Sequence, residues 1–410
     1  MQSKTMNSKV EGNFWILVLF ASAFLVFVTI GIRLSFGLFL LPYTVEFGSG
    51  REVFSFAMAV QNIFWGISSP IAGAYADKLG AAKIAFIGTI FYTLGILIMI
   101  FFVSPYGLVL SQVFVGIGLG AAGISIALGA VAKTCPVNKR SLALGMVISF
   151  GSFGQFALIP LTQFLIEKFG WVEALSILSA VSISMIFSCI ILKFETKNNL
   201  DLSSVVKNLK IKEILNIAIF DKDYILLTIG FFVCGIQIVF IATHLPTYIN
   251  DLGLSPYIAA WSLALVGLFN IIGSFLLGWL GSFLSKKKLL AWVYLLRSIF
   301  IVIFISLPPS ETMALIFGAA MGLIWLGTIP LTSALIVVFY GPTFLSMLYG
   351  VTFLSHQVGS FFGAWLGGLI YDVYGNYNLM WIILVISGVF AFMVNWFINE
   401  DLSEDQRLKT

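Results

Sequence analysis

The chain has 410 residues, of which 60% are hydrophobic and only 10% are charged. A soluble domain carries roughly 25% charged residues. The composition therefore excludes a soluble enzyme, a nucleic-acid-binding protein, a secreted disulfide-linked domain and a disordered chain. Its three cysteines, Cys135, Cys189 and Cys234, are too scattered for a disulfide framework or a metal site. Because a helix crosses the hydrocarbon core in about 20 residues, we expect an integral membrane protein with about twelve spanning helices.

Twelve apolar stretches are long enough to span a bilayer. They are far longer than barrel strands, and open sheets cannot exist in lipid, so all are predicted to be helices. A polar interval at 193–223 divides them into an N-terminal bundle at 1–192 and a C-terminal bundle with a short tail at 224–410. This interval either tethers the bundles or forms an amphipathic helix on the inner leaflet. The stretches lie at about 14–41, 54–76, 83–103, 107–132, 141–166, 171–192, 224–249, 256–280, 289–307, 311–339, 345–371 and 377–398.

The basic residues indicate how the chain crosses the membrane. With a cytoplasmic N-terminus, all but four of the 22 Lys and Arg residues lie in inner segments. Arg51 and Lys168 lie in outer loops, and Arg33 and Arg297 lie within predicted spans. Because cytoplasmic loops of membrane proteins are enriched in Lys and Arg, both termini are predicted to be cytoplasmic. The net charge of +4 is therefore a topology signal and does not indicate a nucleic-acid partner.

The second half of the chain repeats features of the first half at a constant offset of 205 residues. The offset predicts two pseudo-symmetric bundles of six helices related by an axis along the membrane normal. Substrate sites in such folds lie near the midplane between the halves. The matching features are Gly73 with Gly278, Gly145 with Gly350, Gly154 with Gly359, Phe156 with Phe361, and Phe169-Gly170 with Tyr374-Gly375.

The turn after the second predicted helix carries the pattern G-x-x-x-D-K-x-G-x-x-K, from Gly73 to Lys83. Gly73 is expected to let a neighbouring helix approach, and Gly80 to supply permissive turn backbone. Asp77, followed by Lys78, is expected to meet either a helix N-terminus or a basic side chain of the adjacent helix. An ordinary turn is the alternative interpretation.

Six plus six helices with this loop after the second helix resemble the major facilitator superfamily over essentially the whole chain. The second copy of the loop is degenerate, with Ser282 at the position of Asp and Ser285 at the position of Gly. The resemblance implies alternating access by a rocker switch, in which Asp77 belongs to a conformational latch and not to substrate binding. It also implies a multi-pass protein of the bacterial inner membrane, with the lipid bilayer as its surroundings and a monomer as its functional unit.

Within this superfamily, three segments resemble bacterial monocarboxylate porters and oxalate/formate antiporters. They are residues 31–37 on the first helix, 325–332 on the tenth, and 353–360 on the eleventh together with Asp372. Some of these relatives place a cationic ligand on the eighth helix, where this chain has Asn270. The difference favours a monoanion over a dicarboxylate.

Ionisable residues inside spans are costly and usually face a cavity or a partner. Arg33 has a fork suited to a carboxylate, and no Asp or Glu lies inside any predicted span. It is therefore predicted to bind an anion, with bonding to helix carbonyls or outer-gate pairing as alternatives. His356 is predicted to bind the anion or titrate with a cotransported proton, with neutral packing as the alternative. Arg297 is expected to have a structural or gating role.

Further candidates for the substrate site are neutral. Ordinary interhelical hydrogen bonding is the alternative for the amides, and core packing is the alternative for the tryptophan. These candidates are Gln61, Asn62, Gln155, Asn270, Gln357 and Trp325.

The sequence therefore predicts a secondary active transporter of a small organic anion, most simply a monocarboxylate, with proton symport and anion exchange both open. Efflux of hydrophobic or neutral compounds is the main alternative. A non-transporting receptor is a weaker alternative, because the tails are too short for a signalling domain. No nucleophile–base pair, phosphate loop or metal-ligand cluster stands out, so we expect no enzyme activity, no cofactor and no metal.

Overall fold

The computed structural model describes residues 2–193, 211–341 and 344–401. Within these ranges the chain forms α-helices and one short 3-10 turn, and it contains no strand. The helices of the first half are α1 Gln2–Ser35, α2 Leu40–Phe47, α3 Arg51–Leu79, α4 Ala81–Phe101, α5 Pro105–Ala122, α6 Ile124–Thr134, α7 Val137–Phe169, α8 Trp171–Ile183 and α9 Met185–Leu192. Those of the second half are α10 Ile211–Phe220, α11 Lys222–Asp251, α12 Pro256–Leu280, α13 Lys286–Ser306, α14 Glu311–Leu323, α15 Thr328–Tyr340, α16 Leu345–Tyr374 and α17 Asn378–Trp396.

These helices account for the twelve predicted spans. Ten helical segments of the described chain are long and apolar enough to cross a bilayer. Two more helices, α3 with 29 residues and α16 with 30, are long enough but richer in polar and small residues. Together they confirm an all-α membrane protein with twelve spanning segments.

Four of the predicted spans are interrupted, which the hydropathy pattern did not predict. A 3-10 turn at Phe36–Phe39 separates α1 from α2, and Ser184 separates α8 from α9. Gly123 separates α5 from α6, and residues 324–327 separate α14 from α15. The last two interruptions lie at neighbouring positions of the 205-residue repeat, since Gly123 corresponds to Thr328, the residue directly after the second one. Interrupted helices are tolerated in membranes only where the freed backbone groups find partners inside the protein.

The glycines of the repeat show the same packing in both halves. A Cβ on Gly154 of α7 would lie 2.2 Å from the carbonyl oxygen of Phe27 on α1. A Cβ on Gly359 of α16 would lie 2.0 Å from the carbonyl oxygen of Phe232 on α11. Phe27 and Phe232 are themselves 205 residues apart. Both helix pairs therefore cross in backbone contact, which only glycine permits.

Close packing divides the chain into two compact units. The first unit comprises Met1–Ser35 and Phe64–Leu200, and the second comprises Phe36–Ile63 and Asp201–Thr410. Residues 36–63, which precede the second half by more than a hundred positions, thus pack with it. The division describes which segments pack together, and the bundle boundaries at 1–192, 193–223 and 224–410 stay predictions.

Part of the polar interval between the halves forms the helix α10. Ile214 and Ala218 on this helix are fully buried, whereas Ile219 and Phe220 are exposed. The helix ends at Phe220, and the carboxylate of the next residue, Asp221, accepts a hydrogen bond from the backbone N–H of Asp223 at 2.8 Å and caps α11. Residues 194–210 of the predicted linker lie outside the described residues.

Candidate functional site

Arg33 lies near the end of α1 in the first unit and is partly exposed. Its guanidinium lies over the indole ring of Trp65, 4.8 Å from the ring centroid. Tyr92 of α4 donates a hydrogen bond to the backbone carbonyl of Thr29, which lies one helical turn before Arg33, at 2.8 Å. A guanidinium over an indole ring is held there by cation–π attraction and keeps its positive charge. This arrangement is suited to an anion ligand.

The backbone around Arg33 is fixed by the crossing of α1 and α7. A Cβ on Gly31, two residues before Arg33, would lie 2.7 Å from the carbonyl oxygen of Gly154. Gln155 follows Gly154 on α7 and is buried. The two predicted site residues therefore lie next to the same backbone contact, which limits how far either can move.

The signature loop forms the predicted turn between α3 and α4. Gly80 has φ +90°, a conformation that side chains rarely adopt, and precedes the first residue of α4. The Asp77 carboxylate forms an ion pair with the ammonium of Lys133 at 2.8 Å, at the end of α6. Lys78 and Lys83 are exposed. Of the two partners expected for Asp77, it therefore takes the basic side chain of an adjacent helix.

The expected role of Gly73 was wrong for this structure. A Cβ on Gly73 would meet no heavy atom within 4 Å. No helix therefore approaches the residue closely enough to require glycine. Gly145, which belongs to the repeat, is equally open.

The second copy of the loop needs no glycine at the position equivalent to Gly80. Ser285 stands there with φ −60°. The carboxylate of Glu400 caps α13 by accepting hydrogen bonds from the Ser285 hydroxyl at 2.8 Å and from the backbone N–H groups of Lys286 and Lys287. Burial alone would raise the pKa of Glu400, but these hydrogen bonds and the Lys286 ammonium outweigh it and lower the pKa.

His356 lies on α16 in the second unit and is partly exposed. Its imidazole stacks on Phe353, with centroids 6.0 Å apart, and tilts against Phe231 of α11 at 4.8 Å. The Ser360 hydroxyl lies 3.4 Å from Nδ1. A Cβ on Gly235 would lie 2.0 Å from the carbonyl oxygen of His356, so α11 holds this stretch of α16 by backbone contact.

The neighbouring Gln357 is fully buried, and both polar atoms of its side chain lack a hydrogen-bond partner in the described structure. Two other predicted amides lie on the part of α3 that belongs to the second unit. Gln61 is buried, and Asn62 is buried and donates to the carbonyl of Met58 at 2.8 Å. The bond of Asn62 lies within its own helix.

Three more predicted residues meet where α14 ends and α15 begins. Trp325 lies in the interruption and is buried. Asn270 of α12 accepts a hydrogen bond from the backbone N–H of Leu326 at 2.9 Å. Arg297 of α13 is fully buried and donates to the carbonyls of Ile324 and Trp325. These contacts favour the structural role predicted for Arg297.

A second polar cluster in the second unit was not predicted. It joins the start of α3 to α11 and α16. Arg51 donates two hydrogen bonds to the Asp251 carboxylate, at 2.6 and 2.8 Å, and its guanidinium lies 3.4 Å from the ring centroid of Tyr371. The Asp372 carboxylate accepts hydrogen bonds from the backbone N–H groups of Arg51 and Glu52 and thereby caps α3.

His244 belongs to this cluster through Tyr377. Its Nε2 lies 2.8 Å from the carbonyl oxygen of Ala364, so this nitrogen carries the proton. The Tyr377 hydroxyl therefore donates to Nδ1 at 3.1 Å and accepts a hydrogen bond from Arg51 at 3.1 Å. Arg51 was predicted only as a basic residue of an outer loop. Basic residues are scarce on that side of the membrane, and this scarcity was the one signal in the sequence for the cluster.

Metal chemistry finds no support in the described part of the chain. No group of three or more His, Cys, Asp or Glu side chains is placed to hold a metal ion there. Cys135, Cys189 and Cys234 are buried free thiols.

The Major Facilitator Superfamily model matches residues 19–328 and, in a second match, residues 227–410. The chain belongs to the Major Facilitator Superfamily. The structure is also similar to the crystal structure of a D-xylose-proton symporter, with a TM-score of 0.72 and 15% identity over 94% of this chain and 97% of that one. The superfamily fold that the helix count and signature loop predicted is confirmed.

Relatives of the chain within the superfamily are transporters. The chain is 26% identical to an uncharacterized MFS-type transporter, YcxA, of Bacillus subtilis, over 89% of this chain and 90% of that protein. It is 25% identical to monocarboxylate transporter 13 of Rattus norvegicus, over 93% and 89%. It is 23% identical to a gallate transporter of Pseudomonas putida, over 79% and 78%. The protein is thus a multi-pass membrane transporter of this superfamily, and its relatives include proteins named as monocarboxylate transporters.

Proposed function

We propose that this protein is a secondary active transporter of a small organic anion, most simply a monocarboxylate, which works by alternating access. The observation that carries the proposal is the guanidinium of Arg33. It lies on a membrane-spanning helix, keeps its charge at any physiological pH, packs over Trp65 at 4.8 Å and is still partly exposed. The names of two relatives, a monocarboxylate transporter and a gallate transporter, support an anionic substrate class.

In this proposal Arg33 is the main ligand of the carboxylate, and His356 is a second ligand or a proton site. Gln61, Asn62, Gln155, Asn270, Gln357 and Trp325 contribute to the substrate site. Gln357 has the strongest support among the amides, because a fully buried amide without a partner is costly and a bound solute would satisfy it. Asn270 has the weakest, because its side-chain oxygen already accepts two hydrogen bonds, from Leu326 and Ser274.

The signature loop supplies the gating part of the proposal. Gly73, Asp77, Lys78, Gly80 and Lys83 form or release a latch during the transport cycle, with Lys133 as the partner of Asp77. We also propose that the protein lies in the bacterial inner membrane with both termini in the cytoplasm, and that the monomer is its functional unit. The distribution of Lys and Arg supports the orientation, and labelling of single cysteines introduced at the two tails from either side of the membrane tests it.

The test of the substrate class is uptake of radiolabelled monocarboxylates by purified protein in liposomes. Wild type should accumulate at least one of them, and Arg33→Ala should lower the apparent affinity at least about tenfold, since a charge-assisted hydrogen bond contributes roughly 1.5–3 kcal/mol. Arg33→Lys should retain part of the activity. Lys168→Ala is the matched control, because it removes a base that packs over Phe164 and Phe169 far from Arg33 in the sequence.

Unchanged uptake by Arg33→Ala would overturn the assignment of the ligand. Failure of wild type to transport any monocarboxylate, together with export of a neutral hydrophobic dye, would overturn the substrate class and support efflux. Coupling is resolved by comparing uptake driven by an imposed pH gradient with counterflow at equal pH. His356→Gln should abolish the pH-gradient component if the imidazole carries the proton.

A further inference from the structure

The gap between α14 and α15 exposes backbone groups in the middle of a spanning segment. The segment Glu311–Tyr340 is apolar enough to cross the membrane, but residues 324–327 are not helical. The N–H groups of Ile324 and Trp325 still bond backward, to Met321 at 3.2 Å and Gly322 at 3.1 Å. In hydrocarbon, each backbone carbonyl or N–H left without a partner costs several kcal/mol. The gap therefore needs partners from neighbouring helices.

Arg297 supplies the donors for the carbonyls of the gap. Its Nε donates to the Ile324 oxygen at 3.3 Å, and its Nη2 donates to the same oxygen at 2.9 Å and to the Trp325 oxygen. Its Nη1 donates to Cys234 Sγ at 3.3 Å and to Gln237 Oε1 at 3.4 Å. A guanidinium has five N–H donors, and these five contacts use all of them. None remains for a solute.

Asn270 supplies the acceptor for the same gap. Its Oδ1 accepts the backbone N–H of Leu326 at 2.9 Å, and the side chain is buried. A Cβ on Gly273, one helical turn further along α12, would lie 2.0 Å from the carbonyl oxygen of Leu323. The backbone of α12 thus approaches the end of α14 closely enough to bring Asn270 into reach.

The charge of Arg297 and the interruption of the helix depend on each other. A buried guanidinium is costly unless its donors find acceptors, and a continuous helix would offer only carbonyls that already accept a backbone hydrogen bond. The interruption in turn would leave its carbonyls unsatisfied without Arg297. Thr328, the first residue of α15, also lies 3.3 Å from the Cys234 thiol that Arg297 contacts. Arg297 therefore contacts the gap directly and is linked to the start of α15 through Cys234.

We propose that Arg297 and Asn270 are positioning residues that hold residues 324–327 in the interrupted form and thereby fix Trp325, which the proposed substrate site contains. The bonds of the two side chains described here act on the backbone of the gap and not on the transported solute. The effect on transport rests on the proposed function, whereas the effect on the gap itself does not. The two parts are therefore tested by separate measurements.

The gap is tested by hydrogen–deuterium exchange of the full-length protein in lipid nanodiscs, followed in peptides that cover residues 320–330. Arg297→Met should raise the exchange of these amides at least about tenfold, as expected for the loss of several hydrogen bonds. Arg297→Lys, which keeps the charge but loses the fork, should give an intermediate increase. Asn270→Leu should raise exchange at Leu326. Ser298→Ala is the matched control, because Ser298 is buried on the same helix and bonds to Tyr294 and Val385 instead.

Unchanged exchange in folded Arg297→Met or Arg297→Lys would overturn the proposal. If Arg297→Met does not fold, Arg297→Lys and Asn270→Leu still decide it. In transport assays Arg297→Lys should raise the KM for the monocarboxylate several-fold more than it lowers the maximal rate, while Ser298→Ala should change neither. A rise in KM that is no larger than the fall in the maximal rate would overturn the proposal that Arg297 positions Trp325. If wild type transports no monocarboxylate, the proposed function is contradicted. The exchange measurement then still tests whether Arg297 and Asn270 hold the gap.

Discussion

Arg51 donates to both carboxylate oxygens of Asp251, at 2.6 and 2.8 Å, although the two residues are 200 positions apart. This fork-to-fork geometry adds direction to the ionic attraction. The pair is largely shielded from solvent, with 9% of the Arg51 side chain and 27% of the Asp251 side chain exposed. It joins residues 36–63 to α11 within the second unit.

We expect the Arg51–Asp251 pair to show strong energetic coupling. Arg51→Ala and Asp251→Ala should each lower the melting temperature in detergent, because each leaves a shielded charge without its partner. The double variant should lose less stability than the two single variants lose together, with a coupling free energy of roughly 0.5–3 kcal/mol. Glu311→Gln, at an exposed helix start, is the control. Additive losses would mean that the pair contributes no energy of its own.

The repeat allows a prediction with internal controls. Gly154→Ala and Gly359→Ala would place a Cβ 2.2 and 2.0 Å from a backbone oxygen. We expect each to destabilise the protein by at least about 1–3 kcal/mol, as overpacked cores do. Gly145→Ala and Gly350→Ala meet open space and should be neutral or stabilising by up to about 1 kcal/mol, since alanine favours helices. Thermal unfolding of the four variants measures this, and equal effects would contradict the backbone contacts.

The exposed ion pair of the signature loop should affect rate more than stability. Asp77 and Lys133 have 71% and 36% of their side chains exposed, and such pairs contribute about 0–1 kcal/mol. Asp77→Asn should therefore leave the melting temperature nearly unchanged while lowering the maximal transport rate. The exchange Asp77→Lys with Lys133→Asp should restore part of the rate. A raised KM with an unchanged rate would instead assign Asp77 to substrate binding.

The cap of α13 should depend on pH in a direction set by Glu400. The pKa of this carboxyl is lowered in the folded protein, so its contribution is full above the ordinary carboxyl value of about 4.3. That contribution is lost as the pH falls through the lowered pKa. Glu400→Gln should therefore reduce the melting temperature at pH 7 by a constant amount down to about pH 4.3, and the difference should shrink below it. A difference that widens on acidification would contradict the cap.

Much of the fold was predictable because it depends on local hydropathy. Long apolar runs specify spanning helices, since lipid leaves the backbone few alternatives. The 205-residue offset also predicted real equivalences. Gly170 and Gly375, for instance, both end a long helix with positive φ, +95° and +70°. Even the degenerate loop copy has a local reason, because Ser285 adopts ordinary backbone where Gly80 does not.

The contacts of the polar groups were less predictable. Hydropathy depends on side chains and gives no sign of a gap such as 324–327, whose stability depends on Arg297 and Asn270 from other helices. Arg51 and Asp251 pair only because folding brings the ends of two helices together. Gly73 matched the expected pattern but has no close neighbour, since a pattern does not specify what surrounds a residue.

Tyr92 and Arg297 occupy equivalent positions of the two repeats, 205 residues apart, and both donate to main-chain carbonyls of their own unit. One does so with a neutral hydroxyl and the other with a cation. The two halves thus place a donor at the same position of the repeat, with a different chemistry in each half. A comparison of the two halves by residue identity would miss this pair. A comparison by the backbone carbonyl to which each side chain donates finds it.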